Sequence, residues 1–469
     1  MLSPNTGAPT STITSSKMDC IMSQTSNQEI VTAFQDEITN IANACVGCGK
    51  CYEVCPIVDD AGLGGLNPKV ITSGVRDSLT GLAINEDSQK WAQTCVLSGN
   101  CISACEHGVN PRLMLTMARM VNSEQTLEHK ARLSAGVNSY NSMSKGVKVL
   151  SKIQLSNEEL KKLGQGEPKS KTKRSSEPEY LFHTGCNVLK TPHIALLCID
   201  IMDMLKIDYE VKGGPESCCG ILHYRAGDLK TATRVSTSTI NQFSKTGATT
   251  VLSWCPTCQV QFTEVALPSF ESATNTNPFQ MTPFVLFLEK QLYRLKPMFK
   301  HRVEKKVALH LHPGVIGLPE AAKKILNGIA GIEIIDLNVK EIGLMSNSLT
   351  TLPVLKKDLH LKELEAAEAA GVDVLAAVYH ADHRELCAHE KDWSFEIINI
   401  LEIIAESMGI KRRDKFKEMK LLQDVEVILN DLKNQLYSQN ISKEEARLMV
   451  QAFIIDEQPL PLKAQRNLE

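Results

Sequence analysis

The sequence predicts an α+β protein of several domains: a helical, cysteine-bearing domain followed by an α/β domain that occurs twice. Three observations carry this. Most of the 15 cysteines fall into three windows, Cys45–Cys55, Cys95–Cys105 and Cys186–Cys258. Near residue 179 the apolar pattern changes from helical spacing to strands alternating with helices, the signature of a parallel sheet. The spacing then recurs: Cys186 to Cys255 spans 69 positions, His312 to His380 spans 68 and His310 to His380 spans 70. That recurrence reads as an internal duplication.

Composition narrows the function. The chain has 469 residues, 43% apolar and 22% charged, which is ordinary for a globular protein with real cores. A net charge of −3 argues against nucleic acid as a partner. No apolar run approaches the roughly 18 residues of a membrane span, and the N-terminus lacks an apolar stretch behind a basic start. A cytoplasmic chain is expected, with docking on the inner face of a membrane partner left open. In a reducing compartment, clustered cysteines point to metal sites, not disulfides.

Residues 1–27, rich in Ser, Thr, Asn and Gln, read as a disordered tail carrying Cys20 as a bystander. A helix is expected from Asn27 to Ala44, with Ile30, Ala33, Phe34, Ile38 and Ile41 on its apolar face. It leads into Cys45, Cys48, Cys51, Cys55 and Pro56, the C-x2-C-x2-C-x3-C-P run of bacterial ferredoxins. The short gaps wrap the chain around a cubane, and Gly47 and Gly49 permit the tight turns. Zinc is the competing reading, weakened because zinc pairs are usually separated by a longer insert.

The second run is Cys95, Cys101 and Cys105, with Ser98 where a cysteine would complete the motif. In two-cluster ferredoxins the fourth cysteine of each run serves the other cluster. On that rule Cys45, Cys48, Cys51 and Cys105 hold a [4Fe-4S] cluster, and Cys95, Cys101 and Cys55 hold the second. Three thiolates fit [3Fe-4S]; a [4Fe-4S] cluster completed by Ser98 and an empty site are the alternatives. Asn110-Pro111 starts a helix to about Val121, and helices continue to Leu163. The helical domain is taken as 28–160 and a polar, basic linker as 161–178.

Strands are expected at Tyr180–His183, Tyr209–Lys212 and Thr249–Ser253, with helices at His193–Lys206 and Ala226–Lys245. Cys186, the Cys218-Cys219-Gly220 triplet, and Cys255 with Cys258 then fall at strand ends, where open α/β sheets place ligands. Soft thiolates in this number select an iron–sulfur cluster or zinc. A dithiol redox site and buried structural cysteines remain alternatives, and Cys198 reads as core. This repeat is taken as 179–300.

The second repeat, 301–410, keeps the plan with strands at Lys306–Leu311, Ile332–Ile335 and Asp373–Tyr379, but the thiols are gone. His310, His312, His380 and His383 stand near the equivalent places, with Cys387 and His389 nearby. A mononuclear metal such as zinc, a small-molecule pocket, and solvated remnants are the three readings. From Trp393 the chain is expected to be mostly helical, with Lys411-Arg412-Arg413 a solvated corner and 411–469 a helical tail.

The five-cysteine pattern C-x31-C-C-G-x34-C-x2-C resembles the cysteine-rich (CCG) domain of heterodisulfide reductase and related oxidoreductases. The resemblance implies a non-cubane [4Fe-4S] cluster on Cys186, Cys218, Cys219, Cys255 and Cys258, working at thiols and disulfides. Such proteins often carry two cysteine-rich repeats; here the second cluster should be lost. The whole chain resembles a fusion of the small and catalytic subunits of that reductase. Cys95–Cys105 with Gly108-Val109-Asn110-Pro111 is also similar to the iron–sulfur subunit of succinate dehydrogenase and fumarate reductase, which implies [3Fe-4S] near a quinone. Glu106 departs from that pattern, where the family has proline. The resemblances imply an oxidoreductase subunit with a flavin-containing partner, a membrane cytochrome or quinone, or both. The alternative they leave is a non-catalytic relay in a succinate, glycerol-3-phosphate or glycolate dehydrogenase-type complex.

Overall fold

Ser26 starts the first helix, Asn27–Ala44, with a capping box: its hydroxyl accepts from Glu29 N while the Glu29 carboxylate accepts from Ser26 N. Ile30, Val31, Phe34, Ile38 and Ile41 form its buried face. That face packs on the helices Leu229–Ser244 and Leu267–Thr274, so the N-terminal helix belongs as much to the α/β part as to its own domain. The computed structural model describes residues 26–165 and 176–466. Nearly all of the expected disordered tail, with Cys20, and most of the basic linker lie outside the described residues.

The first domain is helical. Between the cysteine runs lie helices Pro68–Leu79 and Glu86–Thr94, each opened by an asparagine cap, Asn67 and Asn85. Asn110 caps Pro111–Thr126 in the same way, accepting from Leu113 N at 3.1 Å. The helix His129–Gln154 then reaches across to the C-terminal helices.

The α/β part is two sheets of one design. β1 (Tyr180–His183), β2 (Tyr209–Lys212), β3 (Thr250–Ser253) and β4 (Gln280–Pro283) pair in the order β2-β1-β3-β4. β5 (Lys305–His310), β6 (Ile332–Ile335), β7 (Val374–Ala377) and β8 (Glu396–Asn399) pair in the order β6-β5-β7-β8. Every pair in both sheets is parallel. The same order arrived at twice bears out the duplication read from spacing. Helices Phe284–Lys290 and Leu318–Leu326 pack together across the two repeats, as do Pro192–Met204 and Ile400–Met408.

Two strands depart from expectation. β4 has a single buried residue, Met281, and ends at Pro283, which an edge strand tolerates. β8 occupies part of the apolar run Ile397–Leu401, which reads as helix from its sequence. The run is both: a buried strand to Asn399, whose side chain then caps Ile400–Met408. The corner Lys411-Arg412-Arg413 also departs. Arg412 clamps Asp200 through two bonds, 2.6 and 2.7 Å, and reaches Glu159 at 3.4 Å, so it anchors three segments of chain. Helices Lys415–Leu422, Val425–Asp431, Lys433–Ser438 and Lys443–Val450 complete the tail and bury Phe416, Ile428, Leu436 and Val450 against Leu150 and Ile153.

Candidate metal centres

The first cysteine run turns tightly at Gly47 (φ 66°) and Gly49 (φ 89°), conformations that need glycine. A Cβ at Gly49 would lie 2.6 Å from Pro68. The turns bring Cys45, Cys48 and Cys51 around one cavity, closed on its far side by Cys105, with Thr72, Val109 and Met114 in the lining. Burial pushes the Cys51 thiol up to about 11.

Cys55 leaves this group. It lies beside Cys95, and Cys101 lies beside Cys95 and Cys55. The indole of fully buried Trp91 donates to Cys55 Sγ at 3.4 Å. Burial, then the neighbouring Cys95, drives the Cys101 thiol up. Ser98, between Cys95 and Cys101 in the chain, is buried, and its hydroxyl accepts the Gly343 N–H at 2.7 Å. Cys105 thus stands with the first run, and Cys55 with Cys95 and Cys101 of the second.

The third group stands beyond the C-terminal ends of β1, β2 and β3. Cys186 contacts Cys218, Cys218 contacts Cys219, Cys219 contacts Cys258, and Cys258 contacts Cys255. Gly185 (φ 79°) makes this approach possible; a Cβ there would meet the Cys255 side chain at 3.0 Å. Gly220 (φ 82°) aims its N–H at Cys218 Sγ, 3.4 Å away. Backbone N–H groups of Cys258 and Thr257 donate to Cys255, that of Ile221 to Cys219 and that of Asn187 to Cys186. Such donors stabilise anionic sulfur. Contact with Cys218 and burial push the Cys186 thiol well up, while hydrogen bonds from Cys218 and Cys258 bring Cys219 down to about 5. The positive charges of buried Lys190 and Arg384 act on Cys186 and Cys255. Four of the five cysteines are buried and Cys186 is partly exposed. Convergent sulfurs, glycine cradles, amide donors and nearby cations suit a thiolate-bound iron–sulfur cluster. Cys198 is buried in the helix Pro192–Met204, away from this group, as core.

The four histidines of the second repeat do not converge. His310 and His312 meet each other and Asp382. His383 turns the other way and groups with His193, Glu402 and Asp414, its Nε2 2.6 Å from Asp414 Oδ2. His380 joins neither group; burial, then Arg384, holds it down to about 3. Strand ends explain the difference. Cys255 and Cys258 lie two and five residues beyond β3, and the residues two and five beyond β7 are Tyr379 and Asp382. Equal spacing points one residue too far. Sequence reasoning also missed Arg112, which is buried, pairs with Glu264 of the first repeat and donates to Leu97 O at 3.3 Å and Gly314 O at 2.6 Å. Charges 152 residues apart leave no local signal.

Among the described residues, no helix is long and apolar enough to cross a membrane. Residues 40–109 match the 4Fe-4S dicluster domain, and residues 180–263 match the cysteine-rich domain. The chain is 22% identical over 400 residues to a subunit of the dihydromethanophenazine:CoB–CoM heterodisulfide reductase of Methanosarcina barkeri, covering 78% of this chain and 94% of that one. No solved structure gives a significant match. The chain is thus an iron–sulfur protein that joins a 4Fe-4S dicluster domain to a cysteine-rich domain, similar over most of its length to a heterodisulfide reductase subunit.

Proposed function

We propose that this chain is the electron-transferring subunit of a heterodisulfide reductase-like complex, moving electrons between a redox partner and a thiol, disulfide or quinone acceptor. In this reading Cys45, Cys48, Cys51 and Cys105 hold a [4Fe-4S] cluster. Cys55, Cys95 and Cys101 hold [3Fe-4S], and Cys186, Cys218, Cys219, Cys255 and Cys258 hold a non-cubane [4Fe-4S] cluster. The observation that supports it best is the unbroken run of sulfur contacts from Cys186 to Cys255 at the ends of three adjacent parallel strands. Five sulfurs exceed the four ligands of a structural zinc.

Bound clusters would supply the one-electron chemistry. The chain's own residues hold the sulfurs in place, exclude water and offset negative charge through Lys190 and Arg384. Cleaving a disulfide takes two electrons and two protons and yields two thiols, so its site must be open to a sulfur substrate. Partly exposed Cys186 and Asn187 form the reachable edge. The sequence carries no flavin or dinucleotide fingerprint, so a flavin-containing subunit would exchange electrons with the cubane, with a membrane cytochrome or quinone as the other partner. In this reading the chain works in the cytoplasm, docking on the inner face of the membrane where its partner is a membrane cytochrome.

The burial of Cys218, Cys219, Cys255 and Cys258 favours a second reading, a relay that touches no substrate. Turnover of a disulfide by the isolated chain with a reduced dye separates the two. Thiol release that stops in Cys219→Ala supports the reductase; reduction of a quinone or partner dye without thiol release supports the relay.

A further inference from the structure

His310 ends β5, and His312 follows two residues on. His310 Nδ1 lies 2.5 Å from the Glu363 carboxylate, and His312 Nδ1 lies 2.6 Å from the Ile342 carbonyl. Both partners only accept, so both Nδ1 atoms carry the ring proton. In neutral rings each Nε2 is then an acceptor; the two lie 3.1 Å apart, and the Ser346 hydroxyl stands 3.1 Å from His310 Nε2. Asp382 Oδ1 lies 3.5 Å from His312 Nε2. All three side chains are buried. Ser346 serves two of these atoms, its N–H donating to Asp382 Oδ1 at 2.8 Å and its hydroxyl facing His310 Nε2, but the two facing nitrogens still repel in a dry interior unless a cation joins them.

We propose that His310 Nε2, His312 Nε2 and the Asp382 carboxylate bind one borderline divalent metal ion of the zinc class. Two ligands about 2.1 Å from a common ion stand roughly 3 Å apart, as these nitrogens do. Metal-bound histidines usually give their other N–H to a carboxylate or a backbone carbonyl, which is the arrangement at Glu363 and Ile342. Asp382 Oδ2 has no hydrogen-bond partner and is free to complete the set. A cavity of about 20 Å³, lined by His310, His312, His360 and Glu363, adjoins the rings. Its lining includes Glu363 and Ile342, the partners of the two Nδ1 atoms, and it has room for a single water on that side of the rings.

The position has meaning within the duplication. Asp382 stands as far beyond β7 as Cys258 stands beyond β3. The second repeat has a carboxylate where the first has the Cys258 thiol, and by strand register His310 stands where the first repeat has His183 and His312 where it has Gly185, so a harder donor set suited to a single borderline ion faces the same strand ends. The site also touches the second cysteine run: Ile342 O receives His312, and the next residue, Gly343, donates to Ser98.

A proton on His310 is the other cation that would relieve the repulsion, and metal analysis distinguishes it. The full chain, purified anaerobically with its clusters, is incubated with Zn2+, desalted and assayed for zinc, iron and sulfide. About one zinc per chain is expected in the wild type. Occupancy should fall at least tenfold in Asp382→Asn and His312→Ala, with iron, sulfide and circular dichroism unchanged. His193→Ala, in the separate His193–His383–Glu402–Asp414 group, should keep its zinc. A wild-type chain without zinc, or zinc that leaves with His193→Ala and stays in Asp382→Asn, overturns the proposal. Because iron is counted separately, the result does not depend on whether the three clusters are assigned correctly.

Discussion

The backbone N–H of Gly343 donates to the Ser98 hydroxyl at 2.7 Å, tying the odd position of the second cysteine run to a loop 245 residues away. Leu344 N donates to Val96 O at 3.0 Å alongside it. Leu97 holds φ 64°, costly for a non-glycine residue, and its carbonyl is fixed by Arg112. The segment around Ser98 is therefore tied to the second repeat, and the serine hydroxyl is part of that contact.

Ser98→Cys would put a fourth thiolate into the Cys55–Cys95–Cys101 group. If the proposed [3Fe-4S] cluster is there, its oxidised signal in electron paramagnetic resonance should vanish, and iron should rise by about one per chain. Ser98→Ala should keep the signal and cost about 1–3 kcal/mol, because the Gly343 N–H loses its acceptor. A signal untouched by Ser98→Cys counts against three-thiolate ligation.

Arg112 joins the three parts of the molecule, and truncating it strands the Glu264 carboxylate and two carbonyls. Arg112→Ala should lower the stability of the folded chain by about 3 kcal/mol. Arg112→Lys should recover only part, since one ammonium cannot reproduce the guanidinium fork. Denaturant unfolding followed by circular dichroism reads both; a loss below about 1 kcal/mol for the alanine variant would show that the junction is held elsewhere.

Trp91 donates to Cys55 Sγ, which in the proposed function is a ligand of the second cluster. Donors to sulfur favour the reduced, more negative state. Trp91→Phe should lower that cluster's potential by about 40 mV, the one-electron equivalent of about 1 kcal/mol. A redox titration followed by paramagnetic resonance reports it, and an unchanged or higher potential excludes the bond as a tuning device.

His193 gives a pH dependence. Burial opposes its charged form, but Asp414 at 3.3 Å and Glu402 at 3.7 Å outweigh this and raise its pKa above the ordinary 6.5. The folded state therefore holds a proton that the unfolded chain releases, and the stabilisation is complete below pH 6.5 and is lost as pH rises through the folded value. Wild type should lose its advantage over His193→Asn as pH is raised from 6.5. An advantage that grows with pH would contradict the ion-pair reading of this group.

How much was legible follows from how local each signal is. β1, β2 and β6 stand where short apolar runs bounded by polar residues put them. β4 and β8 escape a sequence reading because an edge strand has one buried residue, and a continuous apolar run does not separate strand from helix. The thiols were legible because spacing alone wraps a chain around a cluster. The second repeat was legible in outline but not in ligand: Asp382 carries no distinctive sequence signal, and only the strand ends place it opposite Cys258. Arg112, Glu264 and Gly343 act across domains, and nothing in the neighbouring residues announces that.

The central claim is that sulfurs gathered at three places each hold iron. Counting iron and labile sulfide in anaerobic wild type beside Cys48→Ala, Cys101→Ala and Cys219→Ala tests it most directly. The account predicts about eleven irons per wild-type chain, with each variant losing a different cluster's share and its own paramagnetic signal. A folded wild-type chain free of iron, or a Cys219→Ala chain with its full iron, would contradict it.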